Sequence, residues 1–360
     1  MNAVLVAHCR AGFEPETARD LQALAAAARL AVTPTVVAGT GYVTARADRE
    51  VDMRRVANVL GGAAPVFARS VFLGHGPFRI ADPARGSARP DRITPIAVAV
   101  ETLRRAAPFA SVWVEYPDTN DGKQLSPLAR SLQARLEEAL RERRMFDGHE
   151  HGNRLHVMLQ DGATAWIGVS DPGNGSPWPM GIPRLHLPRS APSRSTLKLA
   201  EAFITFLGDN EGRLLNAGMH AVDLGSAPGG WTWQLAQRGL RVIAVDNGAL
   251  KGAIADDPRV THVRDDGLRF RPRRPVDWVT CDIAESPSRI AALMGAWIAE
   301  GAAQHAIFNL KLPMKKRFEE VVRCREIIAT AVEAAGVEAR LGLRQLYHDR
   351  EEVTGYLTRQ

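Results

Sequence analysis

The stretch HAVDLGSAPGGWTWQLAQRG, residues 220–239, constrains the fold more than any other part of this 360-residue chain. An apolar strand runs into a turn with three glycines and a proline, and a helical pattern follows. Glycine at 225, 229 and 230 lets the backbone approach a ligand closely, and the helix start offers free N–H groups. The next strand, LRVIAVD, follows at once, so the order predicts a doubly wound, parallel α/β sheet.

The composition of this loop narrows the class of ligand. Ala227 breaks the G-x-G-x-x-G pattern of nicotinamide sites, and Asp223 and Pro228 fit a pyrophosphate poorly. S-adenosylmethionine carries no phosphate, and an acidic strand end suits its ammonium and sulfonium groups. Asp246 and Asp266 end the next two strands, where Asp246 could accept hydrogen bonds from ribose hydroxyls. The loop therefore favours a methyltransferase, although an ordinary glycine-rich turn in a metabolite-binding protein stays open.

The chain divides into four predicted segments. Residues 1–80 alternate as β-α-β-β-α-β, which predicts a ferredoxin-like module, and the Arg- and Pro-containing run at 81–94 interrupts this pattern. Residues 81–170 predict a second α+β module, with a helix, a strand, a long helix and two strands. Residues 171–193 hold six of the 22 prolines and predict a linker, and residues 194–360 predict the Rossmann-like domain.

The basic residues are almost all arginine. There are 46 basic against 40 acidic residues, a net charge of +6, which suits a polyanionic partner without proving one. Only six of the basic residues are lysines: Lys123, Lys198, Lys251, Lys311, Lys315 and Lys316. Arginine cannot lose its proton in a protein. Each of the rare lysines therefore indicates a position that requires a property a guanidinium group lacks, such as the loss of a proton.

Several classes of protein are disfavoured by the sequence. No apolar run reaches the roughly 18 to 20 residues of a membrane span, and the first residues lack the features of a signal peptide. Cys9, Cys281 and Cys324 are few and scattered, which argues against a disulfide framework or a metal site. We therefore expect a cytoplasmic protein that binds no metal.

Four further segments surround the loop DLGSAPGGWT: SRSTLKLAEAF, DWVTCDIAESP, AIFNLKLPMKKR and LYHDREEVTGYL. Together they resemble the FtsJ/RrmJ-type ribose 2′-O-methyltransferases, which use a Lys-Asp-Lys-Glu tetrad, over about residues 190–360. The resemblance implies a cofactor, S-adenosylmethionine, and a tetrad of Lys198, Asp282, Lys311 and Glu352. In it Lys311 is the base, Lys198 and Asp282 tune and position it, and Glu352 orients it. Glu351 is an alternative to Glu352. Lys198 could instead be a solvated helix lysine, Asp282 a strand-end cap, and either glutamate a surface charge.

The chemistry explains the residue types of this tetrad. A ribose hydroxyl is a weak nucleophile, so its methylation needs a group that removes the proton, and a lysine serves if its pKa falls towards neutrality. A neighbouring ammonium, Lys198 beside Lys311, is expected to favour that fall. Methylation of a cytosine carbon would need a catalytic thiol in a Pro-Cys setting, and Cys281 reads instead as strand core. Methylation of an amino group would need an Asn/Asp-Pro-Pro-aromatic box, which CDIAESP does not match.

The remaining candidate residues fall into two sets. The predicted cofactor-binding residues are Ser195, Gly225, Ser226, Ala227, Pro228, Gly229, Gly230, Trp231, Asp246, Asp266 and Asp282. Ser195 could equally be a helix cap. The predicted RNA contacts are Arg271, Arg273, Arg274, Lys315, Lys316 and Arg317, any of which could instead belong to a solvated basic face.

Within this family, the runs LKLPMKKR and LYHDREEVT are most similar to enzymes that methylate a cytidine in the peptidyl-transferase region, domain V, of 23S rRNA. Those enzymes carry ferredoxin-like and THUMP-like modules before the methyltransferase domain, and the latter implies that residues 81–170 bind RNA. The resemblance implies 23S rRNA as the partner, before the subunit is fully assembled, and a monomer without an obligate protein partner or a membrane. The alternatives are another RNA, a small-molecule O-methyltransferase, or an RNA chaperone without catalysis.

Overall fold

A computed structural model describes residues 3–49, 53–62, 65–81, 90–103, 108–149 and 152–360, apart from the side chain of residue 174. Most of the Arg- and Pro-containing run at 81–94, namely residues 82–89, therefore lies outside the described part. The chain forms two compact units, Met1–Pro183 and Arg184–Gln360. None of the described helices is long and apolar enough to cross a membrane.

The first unit begins with the predicted β-α-β-β-α-β order, which confirms its ferredoxin-like character. The elements are β1 (Val4–Cys9), α1 (Glu14–Ala27), β2 (Val32–Thr35), β3 (Tyr42–Ala47), α2 (Met53–Gly62) and β4 (Ala68–Arg79). Helix α1 buries Thr17, Leu21 and Ala25, four residues apart and so on one face.

The second part of this unit contains every predicted helix and strand, together with one additional short helix. The elements are α3 (Ile93–Thr102), β5 (Ser111–Glu115), the additional α4 (Asn120–Gln124), α5 (Ser126–Glu142), β6 (Arg154–Leu159) and β7 (Thr164–Ser170). The long helix α5 buries Leu132, Leu136 and Leu140 against the sheet, at the spacing of an amphipathic helix.

Both parts of the first unit contribute strands to a single sheet. Its order is β2-β3-β1-β4-β7-β6-β5, and β4 pairs with β7 across the two parts. Only β5 and β6 are parallel among the pairs described. The boundary between residues 80 and 81, and the THUMP-like nature of the second part, stay predictions.

The predicted linker, residues 171–193, starts as part of the first unit. Two 3₁₀ turns, Pro172–Asn174 and Pro179–Gly181, follow β7, and Met180 and Ile182 are buried. The backbone N–H of Met180 donates a hydrogen bond to the buried carboxylate of Glu115. The second of these turns is therefore fixed to the sheet of the first unit.

The second unit is the Rossmann-like domain that the sequence predicts. It begins with α6 (Thr196–Phe206), α7 (Glu211–Leu214), β8 (His220–Leu224), α8 (Gly230–Gln237), β9 (Arg241–Val245) and β10 (Val260–Val263). It continues with β11 (Val276–Cys281), α9 (Pro287–Ala299), β12 (Ala303–Lys311), α10 (Arg317–Ala334), β13 (Ala339–Arg344) and β14 (Glu352–Arg359). Trp278, Phe203 and Ile307 are fully buried in its core.

The sheet of the second unit is parallel except at one edge. Its order is β10-β9-β8-β11-β12-β14-β13, and the first five strands are mutually parallel. Strand β14 pairs antiparallel with both β12 and β13, a detail that the predicted doubly wound parallel sheet did not include. The difference arises because only residues 345–351 join β13 to β14, and parallel neighbours need a crossover of about a dozen residues.

Candidate active site

The four predicted tetrad residues come together at one end of the second sheet. Asp282 directly follows β11 and Lys311 ends β12, so both lie at the carboxyl ends of parallel strands. Glu352 begins β14 and stands opposite Lys311 in the antiparallel register. Lys198 lies in the first turn of α6. The antiparallel edge that the sequence did not predict is therefore what brings Glu352 to the site.

The ion pairs of this cluster are centred on two carboxylates. Lys198 Nζ lies 2.6 Å from Glu352 Oε2 and 3.8 Å from Asp282 Oδ2. Lys311 Nζ lies 3.7 Å from Asp282 Oδ1 and donates to the Asp282 carbonyl oxygen over 3.3 Å. Asp282 therefore stands between the two ammonium groups, and Lys311 has the longer, weaker contacts.

Electrostatics distinguish the two lysines. Burial alone would lower the pKa of Lys198, but the carboxylates of Asp282 and Glu352 outweigh burial and raise it above its ordinary value. Lys198 consequently stays a cation at neutral pH. The side chain of Lys311 is 32% exposed, against 17% for Lys198.

The structure also separates the two glutamates that the sequence left open. Glu352 contacts Lys198, whereas the side chain of Glu351 is 57% exposed and accepts a hydrogen bond from Arg317 Nη2 over 2.6 Å. The backbone carbonyl of Glu351 accepts from the N–H of Leu312 over 2.7 Å. Glu351 thus ties together the segments that carry Lys311 and Glu352.

The loop before Glu352 is anchored to the helix that carries Lys198. Glu201 on α6 is 2% exposed and accepts hydrogen bonds from the backbone N–H groups of Tyr347, over 2.7 Å, and His348, over 2.9 Å. Its Oε2 also lies 2.6 Å from His348 Nδ1. Glu201 was not among the predicted site residues, although its position three residues after Lys198 puts it on the same helix as that lysine.

A cavity of about 310 Å³ opens beside the tetrad at the glycine loop. Five predicted cofactor-binding residues line it: Gly225, Ala227, Asp246, Asp266 and Asp282. It is also lined by Asp265, which the sequence places beside Asp266 at the end of the third strand. The other lining residues were not singled out from the sequence: Val245, Asn247, Gly267, Leu268, Ile283 and Ala284. Ser195, Ser226, Pro228, Gly229, Gly230 and Trp231 are not among its lining residues.

The cavity fits S-adenosylmethionine better than a phosphate-bearing nucleotide. Its lining contains four aspartates and no lysine or arginine, which suits an ammonium and a sulfonium and repels a phosphate. Gly225 has φ +75°, and a Cβ there would lie 2.7 Å from Ile283 Cγ1, so only glycine leaves this wall open. Asp246 already accepts from the N–H groups of Ala227 and Gly248, and each carboxylate oxygen retains capacity for a ligand hydroxyl.

Other residues that the sequence predicted to bind the cofactor make contacts that stabilise the position of the glycine loop. Trp231 is buried and donates from Nε1 to the Ser195 carbonyl oxygen over 3.1 Å. The Ser195 side chain makes no helix-capping bond and instead lies 2.6 Å from the hydroxyl of Ser193. A Cβ on Gly230 would collide with both serine hydroxyls. These contacts hold the start of α8 against the start of α6, and hence position the helix of Lys198.

Asp223 does not face the cavity. It is 1% exposed and accepts hydrogen bonds from Thr232 Oγ1 over 2.6 Å and Thr280 Oγ1 over 2.9 Å. Burial, together with the nearby charge of Asp282, raises the pKa of Asp223 to about 7. Asp223, at the end of β8, therefore ties that strand to α8 and β11 through its hydrogen bonds. The negative charge of the cavity comes from other aspartates.

The predicted RNA contacts are in different situations. Arg273 and Arg274 are exposed, but Arg271 packs 5.3 Å from the ring of Trp297 and lies 3.5 Å from Glu300. Lys315 and Lys316 are exposed on the loop after Lys311, beside Met314, whose side chain is 91% exposed. That loop presents both charge and apolar surface next to the tetrad. Arg317, by contrast, is committed to Glu351.

Among the described residues there is no cluster of metal ligands, and the cysteine next to the tetrad is not a reactive thiol. Among those residues, no group of three or more His, Cys, Asp or Glu side chains could hold a metal ion. Cys281 is fully buried, and burial raises the pKa of its thiol to about 12, which makes it a poor nucleophile. Its place in the core of β11 agrees with the interpretation from the sequence.

Three family models match successive parts of the chain. A ferredoxin-like domain of ribosomal RNA large subunit methyltransferase M matches residues 1–72, and the N-terminal model of that enzyme matches residues 91–171. An FtsJ-like methyltransferase model matches residues 191–331 and includes the glycine loop, Lys198, Asp282 and Lys311.

Similarity to known proteins extends over nearly the whole chain. Ribosomal RNA large subunit methyltransferase M of Methylococcus capsulatus is 46% identical over 353 residues, which cover 98% of this chain and 97% of that protein. The proteins of the same name from Laribacter hongkongensis and Stutzerimonas stutzeri are 46% and 43% identical, and the matches cover 98% and 100% of those proteins. The chain therefore belongs to the ribosomal RNA large subunit methyltransferase M family, and its second unit is an FtsJ-like, S-adenosylmethionine-dependent methyltransferase domain.

Proposed function

We propose that this protein transfers a methyl group from S-adenosylmethionine to the ribose 2′-oxygen of a cytidine in the peptidyl-transferase region, domain V, of 23S rRNA. One observation carries the proposal: Lys198, Asp282, Lys311 and Glu352 form one cluster, with every ion pair within 3.8 Å, beside the acidic cavity at the glycine loop. Family membership supports ribosomal RNA as the substrate, and resemblance to the 23S-modifying enzymes supports the particular cytidine.

In this proposal Lys311 is the general base. Asp282 is shared between two ammonium groups, and Lys198 makes the shorter contacts to the carboxylates, so Lys198 keeps its proton. Lys311 makes only the longer contacts to Asp282 and is the more exposed of the two lysines, so an incoming ribose can reach its Nζ. Glu352 and Asp282 hold Lys198 in place and thereby fix the charge next to the base.

The step conserves atoms and charge. The neutral amine of Lys311 accepts the proton of the 2′-hydroxyl at Nζ, and the oxygen forms a bond to the methyl carbon. Bound S-adenosylmethionine supplies that electrophilic methyl group and leaves as the thioether. Gly225, Ala227, Asp246 and Asp266 would hold the cofactor, with Asp246 accepting from its ribose hydroxyls. Lys311 afterwards returns its proton to solvent through its exposed face.

The first unit has a separate role in this proposal. Residues 1–80 and 81–170 would capture the RNA, and Arg273, Arg274, Lys315 and Lys316 would contact phosphates near the reacting ribose. Free 23S rRNA, before the subunit is fully assembled, would be the substrate of a cytoplasmic monomer that needs no other protein. Arg271 and Arg317 would contribute less to binding because their guanidinium groups already have partners.

The decisive test combines one substitution with product mapping. Lys311→Arg keeps the positive charge but cannot accept a proton, so we expect a loss of turnover of about 10²-fold or more. Cofactor affinity, measured by calorimetry, should stay within a factor of two of the wild type. Lys251→Arg, on an exposed lysine of the same unit, is the matched control and should keep full turnover. Wild-type turnover by Lys311→Arg would refute the assignment of the base.

The substrate is tested with labelled methyl donor and several acceptors. Undermodified 23S rRNA should accept one methyl group, and nucleotide mapping should place it on the 2′-oxygen of a cytidine in domain V. Assembled large subunits should accept less, because the target is then enclosed. Methylation of a different RNA, of a base atom, or of a phenol or catechol in place of 23S rRNA would replace the proposed function with one of the alternatives.

A further inference from the structure

A buried amide, Asn309, lies beneath the tetrad. It stands on β12 two residues before Lys311 and is fully buried. Its Nδ2 lies 3.0 Å from Asp282 Oδ1 and 3.0 Å from Glu352 Oε2. One side-chain amide therefore donates to both carboxylates that bind Lys198, from the side opposite to solvent.

The other end of this amide is fixed by a hydroxyl group. Thr354 stands directly opposite Asn309 in the β12–β14 register and is 1% exposed. Its Oγ1 lies 2.8 Å from Asn309 Oδ1 and donates to it. A flipped amide would turn an oxygen towards Asp282 and Glu352 and its N–H groups towards a hydroxyl, so the chemistry admits only one orientation.

The hydrogen-bond network continues from Thr354 to Asp349, as the number of available hydrogens shows. The Thr354 hydroxyl has one hydrogen, which goes to Asn309, yet its oxygen also lies 2.9 Å from Asp349 Oδ2. Two oxygens at this distance need a proton between them, so Asp349 must supply it as a protonated carboxyl group. Asp349 is fully buried, and its Oδ1 has no hydrogen-bond partner among the described residues. Burial, with the charges of Glu352 and Glu201 nearby, raises the pKa of Asp349 well above its ordinary value.

We propose that Asn309, oriented by Thr354 and Asp349, is the positioning residue of the methyltransferase site. It bridges the carboxylates of Asp282 and Glu352, which would otherwise repel each other, and so fixes the cradle in which Lys198 stays a cation and Lys311 is left to accept the proton. This inference rests on the proposed function. It adds three uncharged groups, Asn309, Thr354 and the protonated Asp349, that touch neither substrate nor cofactor and act through the tetrad.

The sharpest test is a pair of substitutions at Thr354. Thr354→Val keeps the shape but removes the hydroxyl, so the amide of Asn309 loses the partner that orients it. We expect turnover to fall roughly tenfold or more, since a buried polar group is left unpaired. The KM for RNA and the affinity for cofactor should stay within about twofold, because no binding contact changes. Thr354→Ser keeps the hydroxyl and should restore turnover to near the wild-type value.

A second variant addresses the amide itself. Asn309→Asp is isosteric but puts a third carboxyl group against Asp282 and Glu352 in place of two N–H donors. We expect loss of turnover that exceeds the loss in Thr354→Val. Thermal melting and cofactor titration of each variant show whether the domain is folded, and the Thr354 pair tests the inference even if Asn309→Asp does not fold.

The outcomes separate this inference from the proposed function. If the wild type forms the 2′-O-methyl product and Thr354→Val turns over normally, the positioning role is wrong and the proposed function stands. Equal losses in Thr354→Val and Thr354→Ser would also overturn it, because a general packing effect ignores the hydroxyl. If the wild type methylates a different atom, both inferences fall. A loss in Thr354→Val that Thr354→Ser rescues, with KM unchanged, establishes the positioning role.

Discussion

Each unit holds a carboxylate between two basic side chains, and the two arrangements differ in how far solvent reaches them. In the first unit Glu115 lies between His8 and His156, and these side chains are 0–3% exposed. In the second unit Asp282 lies between Lys198 and Lys311, whose side chains are 17% and 32% exposed. A similar charge pattern is therefore closed in one unit and open in the other.

The closed arrangement crosslinks its sheet. Glu115 on β5 lies 2.7 Å from His156 Nδ1 on β6, and the other ring nitrogen lies 2.7 Å from Ser170 Oγ on β7. The ring of Phe72 stacks on His156 with centroids 4.5 Å apart. Burial alone would raise the pKa of Glu115, but the charges and hydrogen bonds of His156 and His8 hold it well below its ordinary value. Because these side chains are almost fully buried, the network holds three neighbouring strands of the sheet together.

The open arrangement leaves one basic group less firmly held. Lys198 is fixed by the short contact to Glu352, while Lys311 reaches Asp282 only at 3.7 Å and faces the exposed edge. Of these two clusters, only the one in the second unit leaves a basic side chain accessible to solvent, as a group that meets a substrate must be. Substitutions in the two units should therefore affect different quantities.

The largest expected effect on stability is at Glu115. Glu115→Gln removes the charge that compensates His8 and His156, and breaking a buried pair on one side costs about 3–5 kcal/mol of unfolding free energy. Urea denaturation of the full chain measures this loss. Cofactor affinity, measured without urea, should be the same as in the wild type, because the second unit has its own core.

Glu138→Gln, on an exposed position of α5, is the matched control and should change the unfolding free energy by less than about 0.5 kcal/mol. If Glu115→Gln were as mild as this control, the contrast between a closed, structural network and the open one that we propose to be catalytic would break. The comparable change in the open cluster, Lys311→Arg, should have the opposite profile, with turnover lost and stability kept.

The buried carboxylates of the two units should respond to pH with opposite sign. The ionised Glu115 stabilises the fold above its ordinary pKa of 4.5, and that contribution is lost as the pH falls further. Asp223 has its pKa raised from 3.8 to about 7, so its contribution is greatest at low pH and is lost as the pH rises through this interval. Between pH 4.5 and 7, Asp223 should therefore make the wild type less stable with rising pH.

Asp223→Asn removes this titration while keeping a hydrogen-bonding side chain. The unfolding free energy of the variant should fall less steeply over pH 4.5–7, by at most about 1.4 kcal/mol per pH unit relative to the wild type. Urea denaturation at several pH values measures the slope, and Asp209→Asn on an exposed turn serves as the control. Parallel slopes for wild type and Asp223→Asn would show that Asp223 is ionised throughout.

Much of this architecture could be predicted from local sequence. The strands and helices of both units follow apolar periodicity, and the glycine loop and the scarce lysines are enough to locate the site. The antiparallel β14 could not be predicted in this way, because helical and strand patterns specify elements but not how edge strands pair. The direction of pairing depends on the connection from β13 to β14, residues 345–351, which is too short for a parallel crossover.

The supporting residues of the site could not be found in the same way. Asn309 and Thr354 are common, uncharged residues, and their importance comes only from standing opposite each other in the β12–β14 register. Asp349 looks like a surface aspartate in the sequence, yet it is fully buried. The contact between Trp231, directly after the glycine loop, and Ser195, at the start of the Lys198 helix, was likewise not visible in the sequence. That these two residues bind the cofactor stays a prediction.

The smallest expected effect is on RNA affinity, at the loop that follows Lys311 beside the exposed cluster of the second unit. If RNA enters over the loop after Lys311, the exposed Lys315 contributes to its affinity through phosphate. Lys315→Gln should weaken RNA binding only a few-fold and reduce the slope of log affinity against log salt by about 1, without changing cofactor affinity.

Arg340→Gln on the edge strand β13 removes the same charge from the same unit and controls for net charge. Filter binding over a range of salt separates the two, because a general electrostatic effect would lower both slopes equally. An unchanged slope in Lys315→Gln would mean that the opening beside Lys311 serves the reacting nucleotide alone and that the RNA backbone is held elsewhere.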